Sequence, residues 1–144
     1  MRITEKFVTS APPAIVWQVL ADIDHWHVWT PTILAIEPLG TTGLVVGARY
    51  RVVQPKLRPA IYEVTECVPG RRFTWVKRFP GGSMIADHRI EKLDGAVEVE
   101  LSFSSSGLLG NIVGAVFSKL IGNYVRTEAH SLKNRCELLA VAPA

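Results

Sequence analysis

Apolar and polar positions first alternate along this chain, then recur every three or four residues, and then return to alternation. Residues 2–9 alternate as a strand. Ile15, Val16, Val19, Leu20 and Ile23 follow at helical spacing behind Pro12 and Pro13, which suit a first helical turn because no amide donor is needed there. Ser10 is expected to cap that helix, and Trp29-Thr30-Pro31 closes a second short turn, so helices occupy 12–29. Strand-like runs come next at 33–39, 49–54, 60–68, 72–79, 84–93 and 97–104. From Leu108 the spacing becomes helical again, through Leu109, Ile112, Val113, Val116, Phe117, Leu120, Ile121, Tyr124 and Val125 to Leu132, Cys136 and Leu139. The apolar face of this stretch shifts after Gly122-Asn123, which predicts a kinked helix, or one that covers a cavity at one end and a dry core at the other.

Turn chemistry separates the strands at Gly40-Thr41-Thr42-Gly43, Pro69-Gly70, Pro80-Gly81-Gly82-Ser83 and Asp94-Gly95. These turns predict a register. With Asp94-Gly95 as a two-residue turn, Ile90 faces Val99, His88 faces Leu101, Ala86 faces Phe103 and Arg89 faces Glu100. With Gly81-Gly82 at the centre of the preceding turn, Trp75 faces His88 and Phe73 faces Ile90. With Pro69-Gly70 central, Val64 faces Trp75 and Tyr62 faces Lys77. The result is one inward row, Val64, Trp75, His88 and Leu101, which a one-residue bulge would reverse.

The chain has 144 residues, 48% of them hydrophobic, and a mean hydropathy of +0.20. That fits a single domain spanning 1–144 with a large core or an apolar cavity. A formal charge of +3 is mildly basic and too dispersed to point to nucleic acid. Cys67 and Cys136 have no metal-type spacing and read as reduced packing residues of a cytoplasmic protein. The N-terminus lacks the apolar core of a signal peptide. Residues 107–125 are the one stretch apolar enough to be weighed as a membrane span. Asn111, Ala115, Ser118, Lys119 and Gly122 share a face there, which argues for an amphipathic helix and against an integral segment.

The order of strand, Ala11-Pro12-Pro13-Ala14-Ile15-Val16-Trp17, Trp26-His27-Val28-Trp29-Thr30-Pro31, the run from Val64 to Trp75, His88 and a long terminal helix resembles the START-like (Bet v 1-like) helix-grip superfamily. Its nearest branch is that of polyketide cyclases/dehydrases and lipid-transport proteins. The resemblance covers essentially the whole chain. It implies an α+β helix-grip fold, with a curved antiparallel sheet of about seven strands wrapped around a long C-terminal helix and a hydrophobic cavity between them. Because that superfamily includes aromatase/cyclases, carriers and receptors, the fold alone does not assign an activity.

His88 is the sharpest site candidate, either a polar anchor or acid/base in the cavity, or a core histidine bonded to a backbone or side-chain group. Asp87, its neighbour on the same strand, points to the opposite face and cannot pair with it. Glu128 interrupts the inner face of the terminal helix and Lys77 shares the parity of Trp75, so each either needs a partner or ligand, or reaches solvent at the sheet rim. Trp29, Tyr50, Tyr62, Trp75, Phe103, Phe117 and Tyr124 complete the expected ligand-binding set, although Trp29 also suits a role in fixing the short helices. Lys56, Arg58, Arg71, Arg72, Arg78 and Arg89 read as a solvated exterior. His25 and His27 lack a third partner, so neither a metal nor another cofactor is expected. Three functions remain open: a carrier or sensor of a small hydrophobic, ring-containing molecule; a cyclase or dehydratase using the same cavity, with His88 and Glu128 as its catalytic candidates; and an apolar interaction or membrane-surface protein using Leu108–Val113. The expected state is a monomer or homodimer.

Overall fold

In a computed structural model that describes residues 1–40 and 43–141, the chain runs β1 (Arg2–Thr9), α1 (Pro13–Ala21), a 3-10 turn (Ile23–His25), α2 (Trp26–Trp29), β2 (Ala35–Pro38), β3 (Arg49–Val53), β4 (Ala60–Val68), β5 (Arg72–Phe79), β6 (Gly82–Leu93), β7 (Ala96–Ser106), α3 (Leu108–Val116) and α4 (Ser118–Val141). The strands form one antiparallel curved sheet in the order β1-β7-β6-β5-β4-β3-β2. This is the α+β helix-grip arrangement. Helix α4 lies across one face of the sheet and buries Ile121, Val125, Ala129, Leu132 and Cys136 against it. Thr9 holds the far end of α4 by donating to Glu137 Oε2 over 2.8 Å.

The Asp94-Gly95 turn pairs β6 and β7 as its chemistry predicts: Leu93 opposes Ala96, Ile90 opposes Val99, His88 opposes Leu101 and Ala86 opposes Phe103. The β5–β6 turn differs. Phe79 opposes Gly82, so Pro80-Gly81 is the two-residue loop, with Gly81 at φ +85°. Proline first and a positive-φ glycine second is a favourable sequence for that turn. Moving the turn by one residue moves every pair by two, so Trp75 opposes Ala86 and Phe73 opposes His88. The face is unchanged because two is the side-chain period. Trp75 and His88 are thus diagonal neighbours, 6.1 Å between ring centres, and not direct partners.

Between β4 and β5 two irregularities cancel. Val68 opposes Arg72 across a three-residue loop, and a register shift between Val64 and Glu66 then restores Val64 opposite Trp75. The expected pairing holds although the turn is one residue longer than expected.

Three further expectations need correction. Ser10 does not cap α1; Pro12 is the cap residue, with no side-chain cap bond, and Thr9 Oγ1 instead accepts the Ala11 amide at 3.1 Å. The second strand is shorter than expected, although Leu34 still donates to the Val53 carbonyl at 2.8 Å. The terminal helix does break, but at Phe117 and not at Gly122-Asn123, and its two parts meet at 74°. Among the described residues no single helix is long and apolar enough to cross a membrane. Thr41 and Thr42 of the expected β2–β3 turn lie outside the described residues.

Candidate functional site

Between the sheet and α4 lies a cavity of about 460 Å³. Its floor is the inward parity of β4 to β7: Tyr62, Trp75, Lys77, Met84, Ala86, His88, Leu101 and Phe103. Its roof is the α4 face carrying Ile121, Tyr124, Val125 and Glu128, together with Val113 and Phe117 from the bend. One end is closed by an aromatic cluster. Trp26, only 1% exposed, lies 5.2 Å from Trp75 and 5.4 Å from His88 between ring centres, and its Nε1–H donates to the Leu20 carbonyl at 3.0 Å. The other end is bordered by the β3–β4 segment, with Gln54, Lys56, Leu57 and Arg58. There the Tyr124 hydroxyl donates to the Pro55 carbonyl and ties α4 to that segment.

Polar groups gather at the closed end. His88 is buried and stacks on Phe73 at 4.1 Å with 10° between the planes. Its Nδ1 lies 3.3 Å from the Phe73 carbonyl oxygen, and its Nε2 lies 3.6 Å from Glu128 Oε1. Both ring nitrogens therefore face oxygen acceptors, Nδ1 the backbone carbonyl and Nε2 the carboxylate across the cavity wall. His88 thus touches a backbone acceptor and also lines the cavity. Burial, and then the Glu128 carboxylate, push the Tyr62 phenol well above its ordinary range, because neither favours a phenolate there. Tyr62 also packs against Trp75 at 5.0 Å.

Lys77 is half-buried, and burial pulls its ammonium below the ordinary lysine range. Among the described residues no carboxylate lies within ion-pair distance of it. Asp87 belongs to the outer face. It accepts from the Thr74 hydroxyl at 2.7 Å and from Arg89 Nε at 2.6 Å. Burial raises its carboxyl, but Thr74, Arg89 and Arg72 outweigh that and hold it below the usual carboxylate range.

Eight of the ten residues expected to bind a ligand line the cavity: Tyr62, Trp75, Lys77, His88, Phe103, Phe117, Tyr124 and Glu128. Tyr50 does not. Its ring is in the core, 6.1 Å from Trp75, and its hydroxyl donates to the Gly43 carbonyl at 3.0 Å. Trp29 does not line it either; its ring packs on that of Trp26, 5.6 Å between ring centres. Trp26, Met84 and Gln54 are lining residues outside the expected set, and Lys56 and Arg58 border the cavity as well as solvent. A helix of four residues gives no periodicity from which to choose between Trp26 and Trp29, so only the chain path identifies the inner one.

The family model described as polyketide cyclase/dehydrase and lipid transport matches residues 1–137. No curated protein sequence matches the chain. Among solved structures, a hypothetical protein from Helicobacter pylori superposes with a TM-score of 0.79 at 17% identity, over 93% of this chain and 86% of that one. A START superfamily protein from Mycobacterium smegmatis gives 0.75 at 15% identity, over 96% and 98%. The di-domain ARO/CYC protein BexL from the BE-7585A biosynthetic pathway gives 0.76 at 16% identity, over 99% of this chain and 48% of its own. At these identities the likeness is one of fold.

Proposed function

We propose, for a chain that belongs to the polyketide cyclase/dehydrase and lipid-transport family, that residues 1–144 act as a single cytoplasmic domain that holds one small hydrophobic, ring-containing molecule in its cavity. One observation carries this reading: a void of about 460 Å³, of the size that takes a drug-sized ligand, is walled mostly by aromatic and aliphatic side chains, with a smaller set of polar groups among them. Those groups are separated. His88, Glu128 and Tyr62 offer hydrogen bonds toward the closed end, and Lys77 offers a positive charge further along β5. A ligand with an apolar body and two polar substituents fits that division.

The test is a native mass spectrum of the protein purified from its own cells. It is expected to show a defined added mass that denaturation releases. A bare mass, together with no saturable binding of a neutral apolar dye, would contradict the reading.

A second reading has its own observation. His88 and Glu128 face a common void 3.6 Å apart, which an acid/base role requires. One of them would take the proton between two carbonyls of a poly-ketone chain, the resulting carbanion would add to a third carbonyl, and the proton would return to the new alkoxide. The cavity would supply most of the rate by holding the chain folded. A soluble β-polyketone thioester should then cyclise faster with the protein than in buffer, and Glu128→Gln should lower the acceleration while dye binding persists. Equal rates with and without protein would remove this reading and leave the binding one standing.

A further inference from the structure

Helix α3 is built inside out. Its inner face carries Gly110 and Gly114, both buried. A Cβ at Gly110 would lie 3.1 Å from the Ser83 amide nitrogen and 3.2 Å from Gly82 Cα, and one at Gly114 would lie 2.9 Å from Ser105 Oγ. The helix therefore rests backbone-on-backbone against Gly82 and Ser83 and, at Gly114, on the Ser105 side chain of β7, and bulk is excluded beneath it. Apart from Val113, which lines the cavity, its large aliphatic residues point outward. Leu108, Ile112 and Val116, at i, i+4 and i+8, are 81%, 52% and 72% exposed, with Leu109 and Phe117 beside them. A surface helix normally presents the reverse pattern.

The chain segments that form this stripe and the neighbouring cavity border carry charges of one sign. Residues 38–62 and 101–127, which supply the β3–β4 border of the cavity and the whole of α3 with its bend, contain no aspartate or glutamate. They carry Arg49, Arg51, Lys56, Arg58, Lys119 and Arg126, and among the described residues Lys56, Arg58 and Lys119 have no carboxylate within ion-pair distance. Lys56 and Arg58 line the same cavity as Val113 and Phe117 of the α3 region. An aliphatic stripe bordered by unpaired cations is the chemistry of an interfacial helix, with apolar side chains at the headgroup boundary and cations among anionic headgroups.

We propose that α3 docks the protein onto an anionic lipid bilayer surface, through Leu108, Ile112 and Val116, with Lys56, Arg58 and Lys119 facing the headgroups. The cavity border then faces the bilayer, and an apolar ligand passes between cavity and membrane without crossing open water. The docking does not depend on the identity of the ligand or on whether the cavity is filled.

Vesicle sedimentation of the full chain tests this, using phosphatidylcholine alone and phosphatidylcholine mixed with phosphatidylglycerol. The protein is expected to pellet with the mixed vesicles, about tenfold less with phosphatidylcholine alone, and less again as salt is raised. Ile112→Asp with Val116→Asp should lower the pelleted fraction about tenfold, while His130→Asp, which adds an acid on exposed α4, leaves it nearly unchanged. All three replaced side chains are exposed, and circular dichroism checks that each variant keeps the fold. Absence of pelleting with the mixed vesicles, or equal pelleting by the Ile112/Val116 variant, would overturn the proposal. So would a dimer in solution that the same two substitutions dissociate, since the face would then belong to a second copy of the chain.

Discussion

Trp26→Ala is expected to cost about 3–5 kcal/mol of stability, the range for removing a large buried aromatic ring. Trp26 is 1% exposed and its ring centre lies within 6 Å of those of Trp29, Phe73, Trp75 and His88. The loss combines three causes. The apolar area that the ring buries no longer favours the fold, the ring's removal enlarges the cavity that it lines, and the Leu20 carbonyl loses the indole donor at 3.0 Å. A domain of ordinary stability holds only about 5–15 kcal/mol in total, so this variant sits near its unfolding limit. Urea denaturation followed by circular dichroism measures it. A change below about 1 kcal/mol would mean that the ring does not close the cavity as described. Trp26→Phe, which keeps most of the ring area, should lose much less.

His88→Phe is expected to separate binding from stability. The backbone bonds of β6 survive the change, and the neighbouring rings of Phe73, Trp26 and Trp75 accept a benzene ring in the place of imidazole. The lost contact is a long one, 3.3 Å to a strand carbonyl, so leaving that oxygen without the imidazole should cost about 1 kcal/mol. Glu128 loses its partner but keeps some access to solvent, its side chain being 16% exposed, which limits the penalty. Ligand retention responds far more strongly, because an imidazole that lines the cavity is replaced by a ring with no hydrogen-bonding atom. In native mass spectra the variant should arrive without the added mass of the wild type, with a melting temperature only a few degrees lower. A large drop in melting temperature with the ligand still bound would make His88 a structural residue alone.

How much of this was legible in the sequence depends on which interaction decides each feature. Parity was legible. Alternation placed Val64, Trp75, Lys77, His88 and Leu101 on one face, because a strand has only two faces and burial selects one. Exact partners were less so. Pro80-Gly81 and Gly81-Gly82 are both acceptable turns, and the choice rests on how Gly82 packs: a Cβ there would lie 2.3 Å from the Gly110 amide nitrogen, a contact 28 residues away in sequence. The bend at Phe117 was legible as a kink but misplaced. The face shift visible at Gly122-Asn123 results from α3 turning its glycines inward and its aliphatic residues outward, and hydrophobic periodicity alone reads that helix with its faces exchanged. Tyr50 and Trp29 were grouped with the cavity residues because aromatic type does not reveal which side of a neighbouring ring a side chain occupies. Lys56 and Arg58 looked like ordinary surface charges, and only the path of the β3–β4 segment brings them to the cavity.

The central claim is that the void between sheet and helix is a binding site, and filling it tests that most directly. Ala86 is buried, lines the cavity, and lies between Trp75 and Phe103 in the sheet. Ala86→Trp places an indole in the void without removing any existing side chain. Titration with the neutral dye N-phenyl-1-naphthylamine should give saturable one-to-one binding to the wild type, and binding weaker by about tenfold or more to an Ala86→Trp variant whose melting shows it to be folded, a difference of about 1.4 kcal/mol. No saturable binding by the wild type, or equal affinity in the folded variant, would contradict the account.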